Sequence, residues 1–204
     1  SHFPNIYKKC LSIGIDLTKD MIPVVPAAHY CCGGIKVNLN GESSIRRLYA
    51  LGEASSTGLH GGNRLASNSM MEAAVYADAA ARHAISVIDS IELQRDIPAW
   101  DYEGTAVPEE MALITQDYKE MQQIMTNYVG IVRSDVRLER AKRRLEIIFK
   151  ETEELYLKST LSQHLCELRN MIAVGYLIIK QAEARHESVG LHYSIDYPAK
   201  PVEI

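Results

Sequence analysis

Three long helical patterns fill the second half of the chain, and they constrain its fold more than any other feature. They cover about 109–128, 134–156 and 160–187, with Val129-Gly130 and Lys158-Ser159 between them. In the middle pattern, apolar residues recur three or four positions apart, at Leu138, Ala141, Leu145 and Ile148. A stripe with that spacing lies on one helix face and must be buried against neighbours. The sequence therefore predicts a small helical bundle.

The first half of the chain carries a smaller set of strand signals. Apolar and polar residues alternate over 35–39, Asn40-Gly41 is a hairpin turn pair, and 48–51 is a short apolar run. We therefore expect a small sheet that ends at Gly52 and presents Glu53 at the carboxyl edge of a strand. A brief amphipathic helix over 6–11 precedes this sheet.

An alanine-rich segment after the sheet predicts a helix from about 69 to 89. Ser67, Asn68 and Ser69 are candidate N-caps, and Glu72 stands three residues after Ser69, in the position of a capping box. Proline and glycine residues over 94–108 indicate a linker to the helical patterns. The complete pattern predicts an α+β fold, in which a small sheet portion precedes a C-terminal helical bundle.

Composition places the chain among ordinary globular proteins. It has 204 residues, of which 47% are hydrophobic and 24% charged, enough for one large or two small domains. The formal net charge of -4 argues against a protein that mainly neutralises a nucleic-acid backbone. We therefore expect no nucleic-acid partner.

Cysteine usage and hydropathy predict the compartment. The four cysteines form neither a secreted disulfide framework nor a CxxC metal pair, and no apolar run approaches the roughly 18 residues that cross a bilayer. We expect a soluble, cytoplasmic protein with no membrane partner and no metal site. Because the chain starts at Ser1 and contains no GxGxxG, we also expect it to be a fragment of a longer protein.

Two segments suggest a crevice for an anionic, ribose-bearing ligand. The Glu53 carboxylate can accept hydrogen bonds from ribose hydroxyls, although an acid in a surface loop is the plainer interpretation. Asn68, Ser69 and Met70 open the alanine-rich helix, whose first backbone N–H groups are unpaired donors at a positive dipole end. They can hold the anionic edge of a bound ring, or they are ordinary capping residues.

Basic residues close to these segments suggest an anion pocket. Arg64 follows a glycine pair and precedes the same helix, and its guanidinium suits two-point recognition of a carboxylate. His29 and His60 are the other candidates, although each of the three is more often a structural hydrogen-bonding residue. Their closeness in space is a hypothesis at this point.

Two further patterns have plainer interpretations. A basic stripe on the middle helix comprises Arg133, Arg137, Arg140 and Arg144, and interspersed acids favour a solvated or interdomain face over a binding surface. Cys31-Cys32 suggests redox chemistry, but adjacent cysteines rarely pair and buried or semi-buried thiols are the better interpretation. The stripe remains the weaker alternative, a noncatalytic helical module that holds a partner.

Several motifs resemble the succinate dehydrogenase and fumarate reductase flavoprotein family. They are the segments 26–30 and 64–69, followed by 129–133, 190–193 and 196–198, so the resemblance covers nearly the whole chain. Ala66-Ser67 and Glu72 are more similar to the members of the family that oxidise L-aspartate than to the dehydrogenases. A fragment of a succinate dehydrogenase or fumarate reductase flavoprotein is the alternative within the family.

The resemblance implies FAD as cofactor and oxidation of L-aspartate to iminoaspartate, the first step towards quinolinate and NAD, with fumarate or oxygen as electron acceptor. It implies that Glu53 contacts the FAD ribose, that Asn68, Ser69 and Met70 lie at the flavin end, and that His29 and Arg64 are catalytic-site residues binding the substrate carboxylate. It also implies four parts: 1–28 from a capping domain, 29–93 from the FAD-binding domain, a linker over 94–108, and a three-helix domain with an extended tail over 109–204. The missing N-terminal half of the same enzyme is the implied partner.

Three positions depart from the family pattern. Gly62 replaces the usual alanine, Cys31 stands where threonine is common, and Val189 replaces the arginine normally found just before Gly190. We therefore do not expect this chain to form the contacts that this arginine makes in relatives.

Overall fold

The computed structural model describes residues 2–107 and 111–199. In chain order, the described part contains helix α1 (Pro4–Ser12), strand β1 (Ile35–Lys36), a 3₁₀ turn (Gly52–Ala54), strand β2 (Ser55–Ser56) and helices α2 (Ala66–Ile88), α3 (Met111–Tyr128), α4 (Asp135–Lys158) and α5 (Gln163–Glu183). The predicted α+β class is confirmed. Ser1, Pro108 and the predicted helix start at 109, together with the end of the tail over 200–204, lie outside the described residues.

Helices α3, α4 and α5 pack around one apolar core. The predicted stripe of α4 is buried, with Leu138, Ala141, Leu145 and Ile148 each at most 2% exposed. Apolar residues from α3 and α5 pack against it, including Ile124, Leu165 and Ile172. Burying a side chain of this size stabilises the fold by about 1.5–3 kcal/mol relative to leaving it in water. The helical bundle that the periodicity predicted is therefore confirmed.

Serine residues fix where α4 and α5 begin. The side chains of Ser134 and Ser162 accept hydrogen bonds from the backbone N–H groups of Arg137 and Leu165, each at 3.3 Å. Each bond satisfies one of the donors that a helix leaves unpaired in its first turn. α5 ends at Glu183, four residues before its predicted end.

The sheet differs from its prediction. β1 pairs with β2 in parallel, with Ile35 opposite Ser55 and Lys36 opposite Ser56, so the sheet does not end at Gly52. Among the described residues, 35–39 and 48–51 do not pair as strands, and an isolated antiparallel bridge joins Glu42 to Tyr49 instead. The reason is local, because the Asn38 side-chain oxygen accepts the backbone N–H groups of Asn40 and Glu42 and turns the chain before a hairpin can extend.

Helix α2 begins three residues earlier than predicted. Its N-cap is Leu65, which has no side-chain hydrogen bond to the helix, so Ser67, Asn68 and Ser69 lie inside the first turns and are not N-caps. The Ser69 hydroxyl instead donates to the Leu65 carbonyl at 3.4 Å. The predicted capping box is also wrong, because the Glu72 side chain is buried against other partners.

The tail after α5 returns to the start of α4. Ser194 forms a parallel bridge with Arg133, and the Asp196 carboxylate accepts the backbone N–H of Asp135 at 2.7 Å. The Tyr197 hydroxyl donates to the Asp135 carboxylate at 2.8 Å.

In the described residues, no helix has both the length and the apolar character needed to span a membrane.

Candidate functional site

Glu72 is the centre of a buried polar cluster between α2 and the loop that precedes it. The residue is only 3% exposed. Its carboxylate accepts hydrogen bonds from the Thr57 hydroxyl, from His60 Nε2 at 2.8 Å and from Arg64 Nη1 at 2.9 Å. A buried carboxylate is tolerated only when it is paired and hydrogen-bonded in this way.

Arg64 is held in the same cluster from several sides. The residue is 7% exposed, and its Nη2 donates to the Ser55 carbonyl at 3.2 Å. Its backbone N–H points at Cys32 Sγ, 3.4 Å away. Among the described residues, Arg64 Nε is buried and has no hydrogen-bond partner. The guanidinium therefore keeps one donor that another acceptor could satisfy.

His60 adopts a single tautomer in this cluster. The backbone N–H of Leu65 donates to His60 Nδ1 at 3.2 Å, so Nδ1 carries no proton. The proton must then lie on Nε2, where it is donated to Glu72. His60 thus bridges the loop and the carboxylate of Glu72.

The protonation state of Glu72 is set by its donors. Burial raises its pKa, but hydrogen bonds from Thr57 and His60, together with the electrostatic effects of His60 and Arg64, outweigh burial and hold the pKa below the ordinary value of 4.5. Glu72 is ionised at neutral pH and balances the charge of Arg64.

The cluster forms one wall of a small open cleft of about 40 Å³. Its other walls come from the 55–58 segment and from Cys32 and Gly33. The chain passes very close to itself at the neighbouring Gly34, where an added Cβ would lie 2.4 Å from the Ala54 carbonyl oxygen. Only glycine permits this approach, which brings the Cys31-Cys32 segment across the turn that carries Glu53.

Glu53 lies beside this cleft, but not at the end of a strand as predicted. It belongs to the 3₁₀ turn Gly52–Ala54, which precedes β2, because Gly52 adopts a positive φ of 64° and turns the chain there. Its carboxylate is exposed and accepts the backbone N–H of Cys31 at 2.9 Å. Glu53 and Arg64 are thus linked through the adjacent residues Cys31 and Cys32.

The other predicted site residues are more exposed. His29 is exposed and its ring contacts Tyr30, with ring centroids 4.6 Å apart. The predicted meeting of Arg64 and His60 is present in the structure, through Glu72, whereas the described contacts of His29 do not include either residue. Asn68 and Met70 are exposed and Ser69 is half-buried, all in the first turns of α2. Their roles stay predictions.

The structure also tests the plainer interpretations of the cysteine pair and of the arginine stripe. Cys31 and Cys32 are exposed, so the prediction of buried or semi-buried thiols is wrong; the close passage at Gly34 holds both residues at the surface. The arginine stripe is engaged within the protein. Arg133 and Arg137 donate to backbone carbonyls, and Arg140 and Arg144 lie over the Tyr128 ring, each 5.9 Å from its centroid.

Sequence reasoning missed the residues that hold Arg64. Glu72 was assigned to a capping box, and Thr57 and Ser55 were not singled out. The available signal was an acid near the start of an alanine-rich helix, eight residues after an arginine. That spacing spans the loop-to-helix boundary, so no helix periodicity applies to it.

The arrangement is suited to binding a polar ligand rather than to proton transfer by Glu72. Glu72 is fully used by three donors, whereas the buried Arg64 Nε has no acceptor among the described residues. A guanidinium donor of this kind holds anionic groups. The cleft can therefore recognise a carboxylate or an anionic ring edge.

Comparison with family models matches both halves of the chain. Residues 1–70 match an FAD binding domain, and residues 118–201 match the fumarate reductase flavoprotein C-terminal region. Together the two matches cover more than half of the chain.

Curated relatives align along almost its whole length. The L-aspartate oxidase of Vibrio cholerae is 44% identical over 202 residues, which cover 99% of this chain and 38% of the relative. The L-aspartate oxidase of Yersinia pestis is 47% identical over 197 residues, which cover 97% of this chain and 37% of the relative. The chloroplastic L-aspartate oxidase 2-b of Nicotiana tabacum is 41% identical over 211 residues, covering 97% and 33%. The chain thus spans about a third to two fifths of the length of these relatives.

Solved structures show the same arrangement of elements. A mutant of the Escherichia coli quinol fumarate reductase superposes with a TM-score of 0.78 at 26% identity, covering 98% of this chain and 37% of that chain. A quinol-fumarate reductase with menaquinol molecules superposes with a TM-score of 0.80 at 26% identity, covering 98% and 38%.

Proposed function

This chain belongs to the succinate dehydrogenase and fumarate reductase flavoprotein family, and from that premise we propose that it forms part of an FAD-dependent enzyme that oxidises L-aspartate to iminoaspartate. The choice of substrate rests on identity. The bacterial L-aspartate oxidases reported above are 44–47% identical to this chain, whereas the fumarate reductase structures are 26% identical.

The chain is proposed to supply the C-terminal portion of that enzyme. In this proposal, residues 29–93 complete an FAD-binding domain, 94–108 is a linker, and 109–204 is a helical domain. Residues 1–28 contribute to a capping domain. The pyrophosphate-binding glycine fingerprint, which this sequence does not contain, comes from the remaining part of the enzyme.

The residues proposed to contact FAD lie outside the lining of the cleft. Glu53 presents an exposed carboxylate, fixed by the Cys31 N–H, that can accept hydrogen bonds from ribose hydroxyls. The start of α2, where Asn68, Ser69 and Met70 lie, presents a positive dipole end to an anionic ring edge. When bound, FAD supplies the acceptor for the hydride that leaves C2 of L-aspartate.

Arg64 and His29 are proposed to orient the substrate. Arg64 is immobilised by Glu72 and Ser55, so its remaining Nε donor has a fixed position and direction. A donor fixed in advance positions a substrate carboxylate without losing side-chain entropy at the moment of binding. His29, exposed on the segment that leads to Cys31, supplies a second donor to the same substrate.

The electron acceptor and the compartment complete the proposal. Fumarate or oxygen removes the electrons from the reduced cofactor, and the iminoaspartate leads towards quinolinate and NAD. We place the enzyme in the cytoplasm, because all four cysteines are free and two of them are exposed.

A chimeric enzyme tests the proposal. The matching segment of the Vibrio cholerae L-aspartate oxidase is replaced by this chain, and reduction of bound flavin is followed after addition of L-aspartate or succinate. We expect reduction by L-aspartate and not by succinate. A chimera that holds FAD and is reduced by succinate alone would instead support the fumarate reductase alternative.

The same chimera tests the assignment of Arg64. We expect Arg64→Leu to raise KM for L-aspartate and to lower kcat, by about 100-fold in kcat/KM, because the substrate loses its fixed partner. Arg46→Leu, at an exposed position outside the cleft, is the matched control and should leave both constants unchanged. Unchanged kinetics in Arg64→Leu would remove this residue from the substrate site.

A further inference from the structure

The tail after α5 touches the loop that carries Arg64. Gly62 lies two residues before Arg64, and its carbonyl accepts the backbone N–H of Leu191 at 3.0 Å. The neighbouring Gly190 packs directly on Gly62. A Cβ built on Gly190 would lie 2.1 Å from the Gly62 carbonyl oxygen, so the two backbones meet with no room for a side chain.

Gly190 sits in a small turn that is closed from both sides. The N–H of Val189 donates to the His192 carbonyl at 3.0 Å, and the N–H of His192 donates to the Val189 carbonyl at 3.1 Å. Gly190 adopts a positive φ of 59°, which the turn requires. The position of Gly190 therefore depends on where His192 is held.

The His192 ring accepts one hydrogen bond and donates another. Its Nδ1 accepts from Arg133 Nη1 at 2.9 Å, and its Nε2 donates to the Arg185 carbonyl at 3.2 Å. Because Nδ1 accepts a hydrogen bond, the imidazole ring is neutral. His192 is 8% exposed, so water does not replace either bond.

Arg133 is itself fixed to the helical bundle. Its Nε donates to the Val129 carbonyl at 3.0 Å, just after α3, and its backbone N–H donates to the Tyr193 carbonyl at 3.0 Å. A continuous series of contacts thus runs from the α3–α4 connection through His192 and Gly190 to Gly62.

We propose that His192, held by Arg133, is a positioning residue for Arg64 and acts through the contact between Gly190 and Gly62. It touches neither substrate nor cofactor. Its role is to hold the site loop in the one position that leaves Arg64 paired with Glu72. The consequence for turnover rests on the proposed function, whereas the mechanical coupling does not.

Hydrogen exchange tests the coupling without any ligand. The backbone N–H groups of Arg64 and Leu65 are bonded to Cys32 Sγ and His60 Nδ1, so their exchange reports the position of the site loop. In the full 204-residue chain, we expect His192→Leu to speed exchange at these two amides by about tenfold or more, while amides in the α4 core stay protected. Gly190→Ala, at a surface turn, should have the same effect by opening the Gly62 contact directly.

Two controls separate positioning from a general loosening of the tail. His192→Gln can accept through Oε1 and donate through Nε2, so it should restore slow exchange. Tyr197→Phe removes a different anchor of the same tail, its bond to Asp135, and should leave the site loop unchanged. Equal exchange at Arg64 and Leu65 in wild type and Gly190→Ala, or equal loosening by Tyr197→Phe, would overturn the coupling.

The chimeric enzyme supplies the second readout. We expect His192→Leu to raise KM for L-aspartate by about tenfold with kcat changed less than KM, and His192→Gln to restore KM. Faster exchange at Arg64 with unchanged KM would overturn the positioning role while leaving the coupling intact. Failure of the chimera to oxidise L-aspartate at all would count against the proposed function, and the exchange result would still decide the coupling.

Discussion

At the scale of single residues, the candidate site depends on one buried ion pair and on the groups that complete it. Glu72 and Arg64 are both almost fully removed from water, and each has further partners in Thr57, His60 and Ser55. Removing one member of such a pair leaves an uncompensated buried charge, which commonly costs about 3–5 kcal/mol. A change that breaks the pair therefore both lowers the stability of the loop and displaces Arg64.

The ionisation of Glu72 gives a testable pH dependence. Its pKa is below 4.5 in the folded chain, so the unfolded chain binds a proton more readily. The stability that Glu72 contributes is therefore complete above pH 4.5 and is lost as pH falls from 4.5 towards the folded-state pKa. We expect Glu72→Gln to be less stable than wild type by about 3–5 kcal/mol at pH 7, because Arg64 keeps a buried charge without its partner, and the difference to shrink below pH 4.5.

Urea unfolding at pH 7, 5, 4 and 3 measures this difference. The exposed Glu92→Gln is the matched control and should track wild type at every pH. A gap between wild type and Glu72→Gln that stays constant down to pH 3 would contradict the role assigned to the carboxylate.

At the scale of elements, the helices begin by two different means. α4 and α5 start at serine side chains that accept a backbone N–H, whereas α2 starts at Leu65, whose own N–H is bonded to His60. The start of α2 is thus fixed by a contact within the candidate site.

Serine-to-alanine substitutions distinguish the two kinds of helix start. We expect Ser162→Ala to lower the free energy of unfolding by about 1 kcal/mol, because a first-turn amide loses its acceptor. Ser67→Ala, in the first turn of α2, should change stability by less than about 0.5 kcal/mol and serves as the control. Chemical denaturation of both variants measures the difference, and equal losses would contradict the assignment of Leu65 as N-cap.

The helices could be predicted from the sequence because their signals are local. The stripe of α4 repeats every three or four residues, and its burial follows from that spacing alone. The sheet could not be predicted in the same way. Ile35 pairs with Ser55, and Asn38 uses its side chain to turn the chain away from the nearer partner. Glu72 likewise draws its partners from 57, 60 and 64, outside its own helix.

At the scale of the whole molecule, the candidate site is assembled from distant parts of the chain. Segments around Cys31, Glu53 and Arg64 meet at the cleft, and the tail reaches it through Gly190. The cleft is open and lacks a glycine-rich phosphate-binding turn in this sequence. The chain therefore offers only part of the contacts that a dinucleotide needs.

Purification of the 204-residue chain by itself tests this incompleteness. We expect a colourless sample without flavin absorbance, and titration with FAD should show weak or no binding, because the contacts to the pyrophosphate are absent. Absorbance near the flavin maxima and quenching of FAD fluorescence are the measurements. A yellow sample with one FAD per chain would contradict the expectation.

The meeting of Gly62 with Gly190 joins positions separated by more than half the length of the chain. Closing so large a loop costs entropy that only later contacts repay, whereas α4 and α5 associate through a short connection. We therefore expect the bundle to form before the candidate cleft acquires its shape during folding. Recognition would be the last property this polypeptide gains as it folds and the first it loses as it unfolds.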